Sequence, residues 1–564
     1  MSLPRTPLLL QSIPPNTPHS VIQSLPTWMD NVNRALGKQD GVEHMETTYP
    51  RFSIHPFVRR LFNLCLKTLE ASPEQTCFLF PSLKLAKAFR AYLHLQLPSF
   101  PEDADLHDVS QAVCAPCSVF AVIFRLEQRA IAMKFWTFTG AGISSRLAEQ
   151  CGRRLDGHSE ITLGLPTEPD HGYLNYYNSH SPLTSAFEAK AIIKARFAGF
   201  SVDGASNIRG VKGLKTSDVY LYPTGMTAIW QIHTMLHGLI PSGNSHKTFK
   251  TAQVNVLYVD SYKLLDTTSS GYHYFTNETV EDLERLLEDC AASDTNTVLG
   301  IFTDFPGNPV MKSADLPRLR ALGDKYHVPI IIDETAGCHL NVSVLAYADI
   351  IIGSLTKVFS GFANVLGGAL LLNPHSLFYQ KYKAYLEEHY EDNYFDIDAI
   401  VMELNSRGME DRLSRINENS EALADWLFAR SRAGGMENSI IDKVSYPKYQ
   451  SLDNYERCMR VISSDEAGQN KFQPGYSGVV SITFISLAAA TTFYETIHCY
   501  KGTTLGTVVT LVSPFTAIAF APNKMSWAKD HGIDEALVRF TVGVEDIQRI
   551  YNSVEAALLA AEKS

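Results

Sequence analysis

The stretch that decides the fold reads Gly353-Ser354-Leu355-Thr356-Lys357-Val358-Phe359-Ser360-Gly361 and places a lysine between an apolar run and a glycine turn. Upstream, a second apolar run ends on a carboxylate in Ile330-Ile331-Ile332-Asp333. Further upstream, Tyr222–His233 is typical of a strand end, a glycine turn and the start of a helix. Asp333 and Lys357 are 24 positions apart (357 − 333), which is one strand-loop-strand unit. Both side chains can therefore reach a single ligand.

A lysine amine, a carboxylate at a strand end and a helix N-terminus are together what pyridoxal 5'-phosphate (PLP) requires of a protein. The amine forms a Schiff base with the aldehyde, the carboxylate keeps the pyridine nitrogen protonated, and free backbone N–H groups hold the phosphate. Lys357, desolvated beside the glycine turn, would have a lowered pKa and act as a nucleophile and then as a base. The residues predicted to hold the phosphate are Gly225, Met226, Ser354 and Thr356.

Each of these features has a plainer interpretation when it is taken alone. A Thr-Gly turn is usually only a turn, Asp333 could be a helix N-cap or an exposed strand end, and most lysines lie on the surface. A carboxylate at the depth of Asp333 is rarely buried without a cationic partner, and a pyridinium is such a partner. The combination therefore favours a PLP site.

Length and charge narrow the class of protein. The 564 residues are 45% hydrophobic and 19% charged, which is ample for two or three domains. The net charge of -11, with scattered Lys and Arg, argues against nucleic acid or an anionic membrane as a partner. No apolar run approaches the roughly 20 residues of a membrane span, and Leu8-Leu9-Leu10 is too short for a secretory core. We therefore expect a cytoplasmic protein.

The cysteines indicate neither a disulfide framework nor a metal site. There are nine, and they are irregularly spaced. The one CxxC motif, Cys114-Ala115-Pro116-Cys117, has no second pair and no histidine pair at ligand spacing.

The chain divides into three predicted regions: an N-terminal arm and elaboration over 1–200, a large PLP-binding domain over 201–373 and a C-terminal small domain over 374–564. Residues 1–45 are rich in Pro, Ser and Thr and indicate an extended arm, which can still wrap a partner subunit. The pattern from there to about residue 160 is mixed α/β. Its predicted helices are Val58–Leu69 and Leu83–Leu95, with an apolar Phe78-Leu79-Phe80 between them.

From about residue 217, short apolar runs alternate with amphipathic segments. This alternation predicts βαβ units and a mainly parallel sheet, with ligands bound outside the carboxyl ends of its strands. The helical stretch 376–435 is interrupted at Asn405-Ser406-Arg407. The predicted strands are Val254–Val259, Val298–Phe302, Pro329–Ile332, Asp349–Ile352 and Gly368–Leu372, then Gly478–Phe484 and Leu537–Thr541 in a smaller closing domain, and the predicted helices are Val280–Cys290 and Ala314–Tyr326.

These motifs carry a family resemblance. Over nearly its whole length the chain resembles the PLP-dependent Cys/Met-metabolism family, and within it the fungal cystathionine γ-synthase branch. The matching motifs are Pro14–His19, Ser24–Trp28, Gly142–Arg146, Phe305–Pro309, Asp333–Thr335, Ser354–Gly361, Asn364–Gly368, Asn405–Arg407, Arg415–Asn417 and Leu537–Asp546.

The resemblance implies an α/β enzyme of PLP-dependent transferase fold type I. Such an enzyme has a mainly parallel large domain, a smaller C-terminal α+β domain and, here, an N-terminal extension. Lys357 would be the Schiff-base lysine and Asp333 the partner of the pyridine nitrogen. The resemblance also implies a small amino-acid substrate and a homodimer or homotetramer.

Further roles follow from the same resemblance. Asn308 would lie beside the ring hydroxyl, and Arg539 would hold the substrate α-carboxylate with its planar fork. Tyr258 would stack on the ring, with Tyr262 as the fallback. The alternative for Tyr258 is a core tyrosine on a strand.

Three positions depart from the family pattern. The segment Tyr177-Asn178-Ser179-His180 lacks an arginine that would reach a neighbouring subunit's phosphate, although Tyr177 can keep a hydroxyl contact. Gly307 replaces a serine before Asn308, and Phe520 stands where a polar histidine is expected. These changes indicate an altered pocket for the second substrate, one that lacks a charge for a carboxylate.

The implied reaction is γ-substitution on an O-activated L-homoserine, such as O-acetyl-L-homoserine. The nucleophile is cysteine, which gives cystathionine, or a carbon nucleophile in specialised metabolism. Because the altered pocket lacks charge, we expect cysteine to be the poorer nucleophile. The alternatives are a β- or γ-elimination lyase and a non-catalytic scaffold of the same fold.

Overall fold

The computed structural model describes residues 19–38, 49–100, 106–158, 184–200, 207–241, 247–268, 271–293, 296–462, 472–520 and 524–564. The strands in these ranges form three sheets, and helices pack against them. Across the same ranges, no helix has the length and hydropathy needed to cross a bilayer.

The N-terminal arm contains a helix, α1 (Trp28–Ala35). The hydroxyl of Thr27 accepts from the Asp30 N–H at 3.0 Å, and the Asp30 carboxylate accepts from the Thr27 N–H at 3.2 Å. This reciprocal cap satisfies two backbone donors and starts the helix. The prediction of an extended arm over 1–45 is therefore wrong at α1, where the cap outweighs the Pro- and Ser-rich surroundings.

The region after α1 is an α/β unit, as predicted. Its elements are α2 (Pro56–Thr68), β1 (Gln75–Phe80), α3 (Leu83–Gln96), β2 (Leu106–Asp108), β3 (Phe120–Arg125), α4 (Arg129–Thr139) and α5 (Ser145–Leu155). The three strands form an antiparallel sheet in the order β1-β3-β2. Its core is aromatic, since the ring of Phe78 packs against those of Phe89 and Phe124. Both predicted helices are confirmed, as α2 and α3.

The central sheet is mainly parallel, as predicted. The elements are α6 (Ala186–Phe197), β4 (Val219–Tyr222), α7 (Gly225–Gly238), β5 (Thr248–Val254), α8 (Val259–Thr268), β6 (Tyr272–Phe275), α9 (Val280–Ala292), β7 (Asn296–Asp304), α10 (Leu316–Tyr326), β8 (Ile330–Asp333), β9 (Ile350–Gly353) and β10 (Gly368–Leu372). The strand order is β4-β10-β9-β8-β7-β5-β6, with β10 antiparallel to both of its neighbours. The isoleucine triplets of β8 and β9 are buried, as strands covered on both faces require.

One predicted strand, Val254–Val259, is wrong. The strand is β5, which ends at Val254 and pairs with β6 and β7. Asn255 follows it with a φ of 59°, a left-handed conformation that stops an extended strand. The apolar residues beyond Asn255 are buried but lead into α8. The strand was predicted too far because these residues are buried, although their backbone is not part of a strand.

The C-terminal region contains a second sheet, in the order β11-β12-β15-β14-β13. Its elements are α11 (Tyr379–His389), α12 (Asp396–Ser406), α13 (Met409–Phe428), β11 (Ile441–Ser445), α14 (Pro447–Gln450), α15 (Leu452–Cys458), β12 (Val479–Phe484), α16 (Leu487–Thr496), β13 (Tyr500–Lys501), β14 (Leu511–Ser513), α17 (Phe515–Phe520), α18 (Met525–Asp530), β15 (Leu537–Thr541) and α19 (Ile547–Ala561). The predicted break at 405–407 is confirmed, because α12 ends at Ser406 and α13 begins at Met409.

Helices from outside the range 201–373 also pack on the central sheet. Ile193 and Phe197 of α6 and Val401 of α12 share one apolar core with β8 and β9, and α6 packs against α12. The predicted domain boundaries at residues 200 and 373 therefore stay predictions.

Candidate active site

The carboxyl ends of β7, β8 and β9 and the first turn of α7 meet at a cavity of about 480 Å³. Parts of α1, α4 and α17 complete its wall. Seven of the predicted site residues line it: Gly225, Met226, Tyr258, Asn308, Asp333, Ser354 and Lys357. Thr356 and Arg539 lie behind the wall, and Tyr177 lies outside the described residues.

Lys357 presents its amine to the cavity. Its Nζ donates to Thr504 Oγ1 at 2.7 Å and lies 4.8 Å from the centre of the Tyr49 ring. Burial lowers the pKa of Lys357 against the opposing effect of Tyr49, and the cations of Arg51 and Arg539 lower it further. A larger fraction of the amine is therefore unprotonated at neutral pH, which suits a nucleophile and a base.

Asp333 and Asp304 form a carboxylate pair on the floor of the cavity. Burial raises the pKa of Asp333 to about 6, although Oδ1 accepts a hydrogen bond from the Thr335 N–H at 2.9 Å. Burial and the charge of Asp333 raise the pKa of Asp304 well above its usual range. Asp304 Oδ2 accepts from the Tyr258 N–H at 2.7 Å. A cation against this pair would lower both pKa values, and a protonated pyridine nitrogen is such a cation.

The first turn of α7 supplies an anion site. The Thr224 hydroxyl caps the helix by accepting from the Thr227 N–H at 3.0 Å, while the N–H groups of Gly225 and Met226 donate to no described residue. Ser354 lies against this turn so closely that a Cβ on Gly225 would be 2.9 Å from the Ser354 Cβ. Two free N–H groups and a hydroxyl at a helix N-terminus fit a phosphate. With the Lys357 amine and the carboxylate pair, the residues present fit PLP.

Thr356 is the predicted phosphate ligand that the structure turns away from the cavity. The residue is 2% exposed, and its hydroxyl donates to the Gly367 carbonyl at 3.3 Å and accepts from the Gly367 N–H at 3.0 Å. Both bonds tie the lysine loop to the start of β10, and the phosphate role of Thr356 stays a prediction.

Arg539 is a buried cation beside the cavity. Its Nη1 donates to Asn308 Oδ1 at 2.9 Å, its Nη2 donates to the Thr503 carbonyl, and its Nε has no partner. It makes no ion pair with a carboxylate of the described ranges, and burial lowers its pKa to about 10. A buried guanidinium held by neutral groups is suited to a carboxylate brought by a substrate.

Tyr258 lines the cavity but lies between β5 and α8 rather than on a strand. Its hydroxyl accepts from Arg51 Nη2 at 2.8 Å and donates to Asp260 Oδ2 at 3.1 Å. Burial and the Asp260 charge raise the pKa of Tyr258 well above its usual range, so the hydroxyl stays neutral. Tyr262, the fallback, stacks on Trp527 with ring centres 4.8 Å apart and does not line the cavity.

Several lining residues were missed from the sequence. Tyr49, Arg51 and Thr504 surround the lysine amine, and Gln23 and Arg34 bring the N-terminal arm into the wall. Tyr49 and Arg51 could have been recognised as candidates, because an aromatic residue and a cation lie two positions apart just after the predicted end of the arm. Nothing in the local pattern showed that this segment folds back over the central sheet.

Two of the departures noted above have structural explanations. Phe520 is 2% exposed and stacks on Trp527 outside the cavity, so the expected loss of charge at position 520 does not affect the pocket. A Cβ on Gly307 would lie 2.7 Å from the Val256 carbonyl oxygen, so this close backbone approach requires glycine. The premise of an uncharged pocket is also wrong, because Arg34 lines it.

Comparison with known proteins agrees with this geometry. Residues 209–559 match the family described as Cys/Met metabolism PLP-dependent enzyme, and residues 57–144 match the fungal trans-sulfuration enzyme N-terminal domain. The cystathionine gamma-synthase-like enzyme iboG1 of Amanita muscaria (strain Koide BX008) is 35% identical, over 98% of this chain and 97% of that protein. The cystathionine gamma-synthase of Neurospora crassa is 31% identical, over 98% of each chain.

A solved structure shows the same fold. The cystathionine gamma synthase from Xanthomonas oryzae pv. oryzae, in complex with aminoacrylate and cysteine, aligns with a TM-score of 0.50 at 19% identity, over 68% of this chain and 100% of that one. The fold is therefore the one predicted. With its family match over most of its length and its full-length fungal relatives, the chain belongs to the Cys/Met metabolism family of PLP-dependent enzymes.

Proposed function

We propose that the protein replaces the γ-substituent of an O-activated L-homoserine, such as O-acetyl-L-homoserine, with a nucleophile. The nucleophile is cysteine or an enolisable carbon compound. The observation that carries the proposal is the grouping of the Lys357 amine and the Asp333 carboxylate at one cavity, with the Arg539 cation, which has no ion pair among the described residues, behind its wall. Full-length similarity to fungal cystathionine gamma-synthase and synthase-like enzymes supports it.

Each residue has a defined task in this reaction. When bound, PLP supplies the electron sink for negative charge that develops on the amino acid. Arg539, oriented by its bond to Asn308, pairs its fork with the substrate α-carboxylate. Lys357, with its lowered pKa, removes the proton at Cα and then one at Cβ, while Thr504 holds the amine in place. The acyloxy group leaves Cγ as a carboxylate, the nucleophile gives up its proton and bonds to the same carbon, and protons return to Cβ and Cα through the Lys357 amine.

The remaining wall favours capture by a nucleophile over release. Apolar side chains from α4, α7 and α17 line it: Met133, Phe138, Ile229, Phe515 and Ile518. Such a lining limits the access of water to the unsaturated carbon chain and leaves room for an organic second substrate.

The experiment is incubation of the PLP-loaded protein with O-acetyl-L-homoserine, first alone and then with cysteine or a β-dicarbonyl compound, followed by mass spectrometry. We expect a γ-adduct with at least one nucleophile. Release of 2-oxobutanoate, ammonia and acetate at the same rate with every nucleophile present would show a lyase instead.

We also propose that the protein is a cytoplasmic homodimer or homotetramer. The nine cysteines are all free thiols, which is usual in a reducing compartment. The proposed assembly follows the family resemblance. Light scattering on the purified protein and fractionation of cells that express it would test the two statements.

A further inference from the structure

Arg34, in the last turn of α1, is one of the cations that line the active-site cavity. Its Nη2 donates to the Phe52 carbonyl at 3.0 Å, and its Nε is buried without a partner. It forms no ion pair with any carboxylate of the described ranges, whereas Arg51, on the same wall, pairs with Asp260 at 3.1 Å. Burial lowers the pKa of Arg34. The Arg34 guanidinium is therefore partly desolvated and has no carboxylate partner among the described residues.

Gln23 adds a neutral polar group to the same wall. The residue is 5% exposed and lines the cavity, yet its side-chain amide makes no hydrogen bond to a described residue. An amide that lines a cavity without a protein partner is open to a water molecule or a ligand. Gln23 and Arg34 are both supplied by the arm, apart from the predicted cofactor residues.

The arm holds these two groups in fixed positions. The Val21 N–H donates to the Ala363 carbonyl at 2.8 Å, and the Trp28 N–H donates to the Glu495 carboxylate at 3.0 Å. Asn31 Nδ2 donates to the Tyr494 hydroxyl at 3.0 Å, which fastens α1 to α16. A guanidinium on an anchored helix loses little freedom when it binds an anion, so the site is preorganised.

We propose that Arg34, assisted by Gln23, binds a carboxylate on the nucleophilic substrate, so that the second substrate of this enzyme is an acid. The inference rests on the proposed function and specifies its second substrate. Arg539 is already assigned to the amino-acid carboxylate, and Arg51 and Lys263, which also line the cavity, lie 3.1 Å and 3.9 Å from the Asp260 carboxylate. Partial burial of a guanidinium that has no ion pair is unfavourable, and an incoming carboxylate reduces that penalty.

The kinetic test pairs each nucleophile that carries a carboxylate with a neutral analogue of similar size. The pairs are acetoacetate with methyl acetoacetate, and 3-mercaptopropanoate with 3-mercaptopropanol, each with O-acetyl-L-homoserine. The wild-type enzyme should have a lower KM for the acid of each pair. Because a charge-assisted pair is lost, Arg34→Gln should reduce that preference about tenfold or more. The control is Arg59→Gln, at an exposed arginine of α2 outside the cavity, which should keep the preference.

A binding measurement separates this inference from the proposed function. Calorimetric titration of the PLP-loaded enzyme with acetoacetate and its methyl ester needs no turnover. The preference for the acid should disappear in Arg34→Gln, be partly kept in Arg34→Lys and survive in Arg539→Lys. A preference that survives in Arg34→Gln but disappears in Arg539→Lys would overturn the inference, as would equal binding of acid and ester by the wild-type enzyme. Circular dichroism checks that each variant is folded.

Discussion

At the scale of single residues, two lysines line the cavity, and only one has the surroundings of a reactive amine. Lys357 has a lowered pKa and is held by Thr504, whereas Lys263 lies near the Asp260 carboxylate. We therefore expect borohydride reduction of the yellow PLP-loaded protein to fix the pyridoxyl group on Lys357. Peptide mapping by mass spectrometry identifies the labelled lysine. A label on Lys263 would remove Lys357 from the catalytic role.

Asp333 is predicted to be a functional residue that lowers the stability of the apoprotein. Its pKa is about 6 in the folded chain, above the usual carboxyl value, so the folded chain holds this proton more tightly than the unfolded chain. Stability therefore falls as the pH rises from about 4 to 6 and stays lower above that range. Asp333→Asn should stabilise the apoprotein by roughly 2 kcal/mol more at pH 7.5 than at pH 4.5.

Urea unfolding of the apoprotein at the two pH values measures this effect. Asp289→Asn, at an exposed carboxylate of α9, is the control and should show no such dependence. With PLP bound, Asp333→Asn should keep the cofactor but lose turnover, with a barrier higher by several kcal/mol. Equal stability changes at both pH values would contradict the buried, proton-binding state of Asp333.

At the scale of elements, the first turn of α7 is the part of the site most sensitive to an added methyl group. A Cβ on Gly225 would lie 2.9 Å from the Ser354 Cβ and would push the two halves of the phosphate site apart. We expect Gly225→Ala to weaken PLP binding by the apoprotein about tenfold, a loss comparable to one charge-assisted hydrogen bond. Fluorescence titration with PLP gives the affinity.

The matched control lies at the other end of the same helix. A Cβ on Gly238 would lie 2.9 Å from the Tyr385 hydroxyl, so Gly238→Ala also adds a methyl group to α7 against a neighbouring side chain, but away from the cavity. It should leave the PLP affinity unchanged. Equal losses in both variants would mean that the helix as a whole, rather than its first turn, controls cofactor binding.

The elements that the sequence predicted well are those whose burial and extension coincide. β10 was predicted at its observed limits, and β8 and β9 were shifted by one residue, because each is a short apolar run that is both buried and extended. β5 was misplaced at both ends. Its first half, Thr248–Thr251, is too polar to be recognised as a buried strand, and nothing in the hydrophobic pattern shows that the left-handed Asn255 ends it. An apolar run in the sequence indicates that a segment is buried. It predicts a strand wrongly where the buried segment is not extended.

The site residues could be predicted only where the local sequence carries a recognisable pattern. Lys357, Asp333 and the α7 turn were predicted because each has a local signature, a strand end or a helix start. Arg34 and Thr504 have none, since only the tertiary fold brings the arm and the loop after β13 to the lysine. The hydrogen bonds of Thr356 to Gly367, which lies across the loop, likewise have no local signature.

At the scale of the whole molecule, the anchoring of the arm should control the second substrate. Asn31 is 3% exposed and its amide bridges Thr27 and Tyr494. Asn31→Ala leaves those partners unsatisfied, so we expect the docked arm to be about 1–2 kcal/mol less stable. Limited proteolysis should then cut the arm faster, and the KM for the nucleophile should rise more than that for the homoserine ester.

Met29→Ala is the control for the arm, because Met29 lies on the same helix and is 59% exposed. It should change neither the proteolysis rate nor either KM. A parallel rise of both KM values in Asn31→Ala would show that the arm supports the whole site rather than one side of it.

The bond between the Trp28 N–H and the Glu495 carboxylate joins residues 467 positions apart. Such a contact between distant parts of the chain forms late, because the ends of a long loop must first be brought together. During synthesis, the wall that carries Arg34 can close only after α16 has been translated. A nascent chain therefore holds its lysine in an open cleft, and the pocket that distinguishes one nucleophile from another is a product of the finished polypeptide.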